Sequence, residues 1–399
     1  MPHKAIVNAT LVDGTGSPSL PSGAVLIQDE RVAAVGSTDS LPIPPGTEVI
    51  DGTGLTVLPG IIDTHMHVTS MPGLLDAHGH LVQSFRGIGK LRQCLGWGTT
   101  TVANVGGCPE NVLLRRAIEE GHVRGVARLV VGAMVNATGG HVRGRSADGP
   151  WEVRKAVREM LMHGADFIKT AASGGFMWEH ERISWEDYTE EELHALVSEA
   201  HARDKRVAVH AHAQPGLNHS IAAGCDIITH GALIDDEALE GIAAKGLFFV
   251  PTLFITSQDS YERPHLPPFM KARMQEAHPV HREGVRKARR MGITIAAGTD
   301  GGPGDAMKEM VELVRCGLSP LEAIVAGTRN SAHALDVLGR VGTLEPGKLA
   351  DLILVRGNPL GDIEALTDRA NLALVMKEGR VEVTDEEYRE HWHPAEWLG

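Results

Sequence analysis

The chain has 399 residues, of which 42% are hydrophobic and 22% charged, so it can bury a large core and is not a disordered protein. No apolar run approaches the roughly 18 residues that a membrane span needs, which excludes a membrane-spanning class. The 51 acidic residues outnumber the 38 basic ones, and the formal charge is -13. Since a nucleic-acid partner requires a basic surface, a small-molecule ligand is the better prediction.

The histidine content is the unusual feature of the composition. The sequence contains 21 histidines, several of them in His-x-His pairs, and only 4 cysteines, none of them in a Cys-x-x-Cys pair. Neither a disulfide framework nor a thiolate zinc site is therefore indicated, and any metal chemistry is expected at histidines. The N-terminal segment lacks the pattern of a signal peptide, which predicts a cytoplasmic protein.

Both ends of the chain are predicted to consist of short β-strands. Short apolar runs there are separated by turn signals that contain Gly, Pro or Asp-Gly. The runs cover residues 5–7, 24–27 and 32–35 near the start, and residues 350–355 and 373–376 near the end. Each end is too short to be a stable domain alone, so we expect residues 1–57 and 341–399 to join in one small β-sandwich.

The middle of the chain alternates strand-like runs with amphipathic helices, the pattern of parallel βαβ units. Eight runs are predicted as strands, at residues 57–63, 100–105, 129–135, 167–172, 207–211, 227–230, 247–252 and 294–299. Helices are predicted at residues 109–120, 151–163, 190–203, 235–244 and 279–291. Eight strand and helix units over about 280 residues fit a (β/α)8 TIM barrel, which we assign to residues 58–340.

Side chains of metal-ligating types lie at the carboxyl ends of several of these runs. His65 and His67 follow the first run, His210 and His230 end the fifth and sixth, and Asp300 follows the eighth. In a TIM barrel these ends carry the active site. Because strand side chains repeat every two residues, His65 and His67 point to the same face and can reach one ion. The pattern therefore predicts a metal site at this rim.

Lys169 lies in the fourth run among apolar residues, where an ammonium group is costly unless it is paired or neutralised. One interpretation is a salt bridge with Asp166 or Glu179. The other is a deprotonated amine that is converted chemically into an anionic ligand, which would explain a lysine beside metal-binding histidines. Both interpretations remain open at this point.

Together these segments resemble the amidohydrolase superfamily, in particular the group that contains imidazolonepropionase and the Xaa-Pro and Xaa-Arg dipeptidases. The resemblance covers nearly the whole chain. It rests on Leu-Pro-Gly-Ile-Ile-Asp-Thr-His-Met-His at 58–67, Ile-Lys-Thr at 168–170 with Gly-Gly at 174–175, Val-His-Ala-His at 209–212, Thr-His-Gly at 229–231, Gly-Thr-Asp at 298–300 and Pro-Gly-Lys-Leu-Ala-Asp at 346–351.

The resemblance implies a centre of two divalent metal ions. It assigns one ion to His65, His67 and Asp300 and the other to His210 and His230, with N6-carboxylated Lys169 and a hydroxide as bridges. Zinc is the default for nitrogen and oxygen ligands of this kind, and manganese, iron or cobalt would also fit.

Two other histidine pairs compete with these ligands. His212 has the same strand parity as His210, but the resemblance and the position directly after the apolar run favour His210, and His212 is assigned to the substrate site. His78 and His80 have the same His-x-His spacing as His65 and His67. Their neighbours are helix-like, however, so these two histidines are predicted to lie in a loop or helix rather than to bind metal.

His141 follows Gly139 and Gly140 in the loop after the third run. Glycine lets a loop approach closely, so this histidine can point into the site. The resemblance to the dipeptidase group implies that it binds the substrate carbonyl.

The predicted reaction is hydrolysis of an amide. Two cations beside a bridging water lower the pKa of that water and polarise a carbonyl. Asp300 is expected to act as general base and then general acid, with His141 and His230 as further catalytic candidates. Deaminases of the superfamily typically use one ion, place a glutamate soon after the strand-5 histidine and lack the strand-4 lysine. Here Ala213 and Gln214 stand in that place, which disfavours deamination.

The candidate substrate-binding residues are His141, Arg143, His212 and Tyr261. Arginine suits a carboxylate, and aromatic rings suit an apolar side chain. We therefore expect a dipeptide or an N-acyl amino acid with a free carboxylate. The alternative is a lactam, carbamate or ester of xenobiotic type. A non-catalytic scaffold relative is disfavoured because no ligand is missing.

The segment from Thr384 to Gly399 is acidic and carries Trp392 and Trp397. It is expected to pack on the surface or at a subunit contact rather than to supply ligands. We expect a homo-oligomer with a small-molecule substrate and with neither a nucleic-acid nor a membrane partner.

Overall fold

The computed structural model describes residues 3–69, 77–107 and 109–384 of the chain. The predicted packing of the last residues, 385–399, therefore falls outside the described residues. Within the described part, no helix is long and apolar enough to cross a membrane.

The strands alternate with helices through the middle of the chain and cluster without helices near both ends. The strands are β1 (Lys4–Leu11), β2 (Leu20–Gln28), β3 (Arg31–Ser37), β4 (Glu48–Asp51), β5 (Leu55–Pro59), β6 (Ile61–Met66), β7 (Thr99–Asn104), β8 (Arg128–Asn136), β9 (Arg145–Ser146), β10 (Phe167–Ala171), β11 (Val207–Ala211), β12 (Ile227–His230), β13 (Phe248–Val250), β14 (Leu352–Arg356), β15 (Leu372–Lys377) and β16 (Arg380–Thr384).

The α-helices are α1 (Ala77–Gly96), α2 (Glu110–Glu119), α3 (Gly149–Met162), α4 (Glu190–His201), α5 (Gly216–Ala223), α6 (Asp236–Lys245), α7 (Gln258–Tyr261), α8 (Pro268–Arg290), α9 (Asp305–Arg315), α10 (Pro320–Val325) and α11 (Ser331–Ala334). Short 3-10 turns cover Leu253–Thr256, Ile363–Thr367 and Arg369–Asn371, and a π-helical turn covers Ala326–Asn330.

Seven parallel strands form the barrel wall in the order β6, β7, β8, β10, β11, β12 and β13. Residues 294–301 close the gap between the first and last strands. Ile295 bridges to Phe249 of β13, and Gly301 bridges to Met66 of β6. The backbone N–H of Asp300 donates to the carbonyl of His65 at 2.7 Å. The predicted (β/α)8 barrel is thus confirmed, with its eighth run attached by single bridges rather than by a regular ladder.

A second sheet is built from both ends of the chain, in the order β16, β15, β14, β5, β1, β2 and β3, with β4 paired to β1. Residues 57–63, predicted as one strand, belong to two sheets. β5 pairs with β14 in the terminal sheet, β6 starts the barrel, and Gly60 lies between them. A Cβ at Gly60 would lie 2.2 Å from the Thr100 hydroxyl oxygen, so the chain changes sheets where no side chain fits.

The start of α8 corrects another expectation. The amphipathic pattern of the sequence predicts a helix that begins at Pro279. Instead it begins at Pro268 and continues through Pro279. Met274 and Ala277 are buried before the proline, and His281 and Val285 after it. The buried face therefore runs through the proline, and packing outweighs the lost backbone hydrogen bond.

The barrel and the terminal sheet are joined by a buried ion cluster. Arg128, at the start of β8, pairs with Asp351 and Glu378 of the C-terminal segment. Arg128 also donates to the Thr101 hydroxyl of β7. Because a buried charge without its partner is costly, this cluster fixes the barrel against the terminal sheet.

Candidate metal centre

Asp63 links the strand that carries His65 to the segment that carries Asp300. Its Oδ1 accepts from the backbone N–H of His65 at 3.0 Å and from that of Thr299 at 3.1 Å. Its Oδ2 accepts from the Thr299 hydroxyl at 2.7 Å. Burial raises the pKa of this carboxyl to about 7, against the lowering effect of these hydrogen bonds. Asp63 was not predicted as a site residue, and it sets the spacing of two predicted ligands.

Asp300 lies between the two histidines of β6. Its Oδ1 is 3.1 Å from Nε2 of His67 and 3.7 Å from Nε2 of His65. Burial acts to raise the pKa of Asp300, but the hydrogen bond from His67 and the nearby positive charges outweigh it, and the pKa falls to about 2. Asp300 has a φ of 50°, a conformation that a residue other than glycine adopts only when its surroundings enforce it. The strand end therefore presents an ionised carboxylate to both rings.

Lys169 on β10 is 1% exposed, and its Nζ donates to the Thr229 hydroxyl at 2.8 Å. The salt bridge considered from the sequence does not form with Asp166, which pairs with Arg115 instead. Glu179 is exposed. Burial lowers the pKa of Lys169 to about 7, although Asp300 acts to raise it. An uncharged amine is therefore accessible to this lysine near neutral pH.

The ends of β11 and β12 bring three further histidines together. Nitrogen atoms of His210, His212 and His230 lie within 4.8 Å of one another, and His230 forms a second such group with His65 and Asp300. The resemblance placed His230 with His210, and the geometry puts it at the junction of both groups. The ring centroid of His230 lies 4.3 Å from that of His210 and 4.8 Å from that of His212, so both rings are close to it and the preference for His210 as ligand stays a prediction.

The chemistry of these donors fits a divalent metal. Among the described residues, Nδ1 of His65, Nδ1 of His67, Nδ1 of His212 and Nε2 of His230 are buried with no hydrogen-bond partner. Burial lowers the pKa of His65, His210, His212 and His230 well below its usual value, so these imidazoles are neutral. Neutral imidazoles beside an ionised carboxylate are the ligand set that zinc and similar cations prefer.

His141 reaches this cluster from the loop after β8. Its ring stacks on His210, with centroids 4.2 Å apart. Its Nδ1 lies 2.8 and 2.9 Å from the two carboxylate oxygens of Glu181, and its backbone N–H donates to Asp187 at 2.7 Å. A Cβ at Gly175 would lie 2.3 Å from the ring, so the glycine is what allows this approach.

The predicted substrate contacts lie at different distances from the cluster. Arg143 is exposed and stacks on Trp178, with its guanidinium carbon 4.9 Å from the ring centroid. The Trp178 indole N–H donates to the His141 carbonyl at 3.0 Å, which ties Arg143 to the site. The ring of His212 contacts Phe176 at a centroid distance of 4.7 Å. Tyr261 is farther out, packed on the apolar cluster that includes Phe176.

Several residues that shape the site were not found from the sequence. They are Asp63, Glu181, Asp187, Thr252 and His281, which hydrogen-bond a predicted site residue, and Glu309, which accepts from the backbone of the turn after Thr252. Asp63 lies in the segment 58–67 that carries the family resemblance, and the other five lie outside the segments that carry it. His78 and His80 lie in α1, as the helix alternative predicted, and their side chains fall outside the described residues.

Comparisons with known proteins find relatives that match most of this chain. The model of the amidohydrolase family matches residues 56–381. The ochratoxinase of Aspergillus niger is 29% identical, over 93% of this chain and 85% of its own. An imidazolonepropionase of Symbiobacterium thermophilum is also 29% identical, over 93% of this chain and 92% of its own. A crystal structure of a Xaa-Pro dipeptidase with bound methionine in the active site has a TM-score of 0.85 and 29% identity, covering 95% of this chain and 99% of that one.

The chain therefore belongs to the amidohydrolase family. This confirms the superfamily predicted from the motifs, and the match to the dipeptidase structure confirms the fold class. Within the superfamily, the similarity to an imidazolonepropionase and to a Xaa-Pro dipeptidase points to the same group of hydrolases that the motifs resemble.

Proposed function

We propose that this protein is a metal-dependent amidohydrolase that cleaves the amide bond of a dipeptide or an N-acyl amino acid with a free carboxylate. The observation that carries the proposal is the set of histidines around Asp300, four of whose nitrogen atoms are buried without a hydrogen-bond partner among the described residues. Leaving such atoms unpaired costs about 1 to 3 kcal/mol each, and metal coordination removes this cost.

In this proposal the metal ligands are His65, His67 and Asp300 for one ion, His210 and His230 for a second, and Lys169 between them. Bound there, divalent ions would lower the pKa of a water molecule and polarise the scissile carbonyl. Zinc is the expected metal, with manganese, iron or cobalt as alternatives.

Lys169 would supply an anionic bridge by reacting with carbon dioxide. The neutral amine attacks the carbon atom, an N–C bond forms, one C–O π bond opens, and the amine proton is released to solvent. The product is a carbamate with one negative charge. Lys169 is buried, and its Nζ donates to a hydroxyl rather than directly to a carboxylate, so its amine is available for this reaction.

Asp300 and His141 would act on the substrate. Asp300 is ionised, so it can accept the proton of the attacking water and deliver it to the nitrogen of the leaving amine. His141 is held through Nδ1, which leaves Nε2 for the carbonyl oxygen as negative charge develops on it. His230 is counted among the catalytic residues only through its position at the junction of both donor groups.

Arg143 is proposed as the anchor for the substrate carboxylate. It lies two residues after His141, and the Trp178 ring supports its guanidinium group at the rim of the site. Arg145, nearby in the sequence, pairs instead with Glu152 and Glu159 of α3 and is therefore not available for a substrate. The two arginines form a matched pair for testing this role.

The test is an assay of paired amides that differ only in a free or esterified terminal carboxylate, with metal analysis of the same sample. The proposal expects metal in the purified protein and preferential cleavage of the free acids. Arg143→Ala should raise KM for the acids about tenfold or more and leave KM for the esters unchanged, while Arg145→Ala changes neither value.

Cleavage of lactams, carbamates or esters without this preference would support the xenobiotic alternative, and absence of any hydrolysis would favour the scaffold alternative. A cytoplasmic location and a homo-oligomer stay predictions of the sequence.

A further inference from the structure

The turn after β13 contains a residue in a conformation that its side chain disfavours. Thr252 has a φ of 51°, and a β-branched residue with positive φ is a conformational outlier. His230, at the end of the neighbouring strand, also has positive φ, at 75°. Such strain persists only where the surroundings enforce it, and it concentrates at functional sites.

The two strained residues hydrogen-bond to each other. Nδ1 of His230 lies 2.8 Å from the Thr252 hydroxyl, and Thr252 is 1% exposed. The other ring nitrogen of His230, Nε2, is buried without a partner among the described residues. If Nδ1 carries the proton and donates to Thr252, Nε2 keeps a free lone pair. The opposite tautomer would bury an unpaired N–H among the other imidazoles.

The backbone of His230 is fixed by a different residue. His281 of α8 is 1% exposed, and its Nε2 donates to the His230 carbonyl at 2.9 Å. Nδ1 of His281 lies 2.9 Å from the Thr256 hydroxyl oxygen. His281 therefore fixes the backbone of His230, whereas Thr252 contacts its ring and can set the orientation and tautomer of that ring.

Glu309 of α9 holds the turn that carries Thr252. Its side chain accepts from the backbone N–H of Leu253 at 3.0 Å and from that of Phe254 at 2.7 Å. Glu309 is 0% exposed, and within the described part of the chain its hydrogen-bond donors are these two backbone groups. An acceptor at the first N–H groups of a helical turn fixes the start of that turn, which is Thr252.

We infer that Thr252 is a positioning residue that fixes the tautomer and orientation of His230 for cation binding, and that Glu309 holds Thr252 in the strained conformation this requires. The inference rests on the proposed metal-dependent function. It goes beyond that function because it assigns a role to two residues outside the ligand set. Partners of this kind typically change metal affinity by about 10- to 100-fold.

The test measures metal affinity without using activity. Metal-free protein is titrated with Zn²⁺ in the presence of a competing chelator, for wild type and for Thr252→Val, Thr252→Ser and Glu309→Gln. Valine keeps the shape and removes the hydroxyl, so Kd should rise about 10- to 100-fold. Serine keeps the hydroxyl and should stay within about threefold of wild type. Glu309→Gln replaces one of the two carboxylate oxygens that accept from Leu253 and Phe254. It leaves the His230 and Thr252 side chains unchanged and should still raise the Kd for Zn²⁺.

Thr100→Val is the matched control. Thr100 is a buried barrel threonine whose hydroxyl lacks a partner among the described residues, so its loss should leave Kd unchanged. Thermal unfolding of each variant separates loss of the fold from loss of affinity, and Thr252→Ala replaces the valine variant if that one does not fold. Wild-type Kd in both Thr252→Val and Glu309→Gln would overturn the inference and leave the proposed function standing. If wild type binds no Zn²⁺, the proposed function falls and the inference with it.

Discussion

Both carboxylate oxygens of Glu181 lie within hydrogen-bond distance of Nδ1 of His141, at 2.8 and 2.9 Å. This contact fixes the ring of a loop histidine from a second loop. For Nε2 to donate to a substrate oxygen at the same time, the ring must carry both protons, a form whose positive charge faces the Glu181 carboxylate. Arg273 of α8 donates to the carbonyls of Trp178, Glu179 and Glu181, so the second loop is itself fixed.

His141→Ala should lower kcat by about 10² to 10³, the scale for one lost oxyanion donor, with a smaller change in KM and with metal content intact. Steady-state kinetics and metal analysis on the same sample check this. His180→Ala removes an exposed histidine one residue from Glu181 and should leave kcat unchanged. Turnover of His141→Ala within a factor of two of wild type would remove His141 from the mechanism.

Lys169→Ala should lose metal and activity together, because two cations without their anionic bridge repel each other. Wild type is expected to hold about two metal ions per chain, measured by elemental analysis of dialysed protein. Lys155→Ala, at an exposed lysine of α3, controls for the loss of a positive charge. Full metal content with near-normal turnover in Lys169→Ala would refute the binuclear centre.

Separate replacement of the two histidines of β11 tests the ligand assignment. His210→Ala should lose the second metal ion, whereas His212→Ala should keep both ions and weaken substrate binding. The two side chains lie two residues apart and are similarly buried, so each variant serves as the control for the other. Metal loss in His212→Ala alone would exchange the two roles.

Glu199 of α4 provides a pH test outside the site. Its pairing with Arg158 and Arg203 lowers its pKa to about 2, against the effect of burial. A depressed carboxyl pKa adds stability that is complete above the unfolded-state value, about 4.3, and is lost as pH falls through the folded-state value. Glu199→Gln should therefore destabilise the protein by about 1 to 3 kcal/mol at pH 7.

The difference between wild type and Glu199→Gln should shrink as pH falls from about 4 to about 2, since wild type loses the same charge there. Denaturant unfolding at several pH values measures it. Glu191→Gln, at an exposed glutamate of the same helix, should show little difference at any pH. A pH-independent difference for Glu199→Gln would mean that packing rather than charge accounts for it.

The barrel and most of the donor cluster could be predicted because they depend on local patterns. Parallel strands are largely apolar, so the polar residues at the end of each run, such as His65 or His230, mark the strand ends. Barrel geometry then places those ends together. The run at 294–299 is predicted in the same way, although it joins the barrel through a single bridge to Phe249 and separate hydrogen bonds to β6 rather than through a regular ladder.

The supporting residues could not be predicted because their partners are far away in the sequence. Glu309 binds backbone groups 55 and 56 residues earlier, and Glu181 binds a ring 40 residues earlier. Neither follows a strand-like run or belongs to a repeated spacing. The predicted start of α8 is wrong for a related reason, since the first part of the helix is fixed by packing of Met274 and Ala277 on residues distant in the sequence, such as Phe176.

The passage from β5 to β6 through Gly60 has a consequence for engineering this enzyme. β5 is held by β14, more than 290 residues later in the chain, and the chain then enters the wall of the barrel at Ile61, four residues before His65. Removing the C-terminal strands would leave β5 unpaired on one side, directly upstream of the first histidines of the site. We therefore expect that shortening the chain to its barrel, or attaching a tag that disturbs β14, would displace His65 and His67 before overall folding is lost.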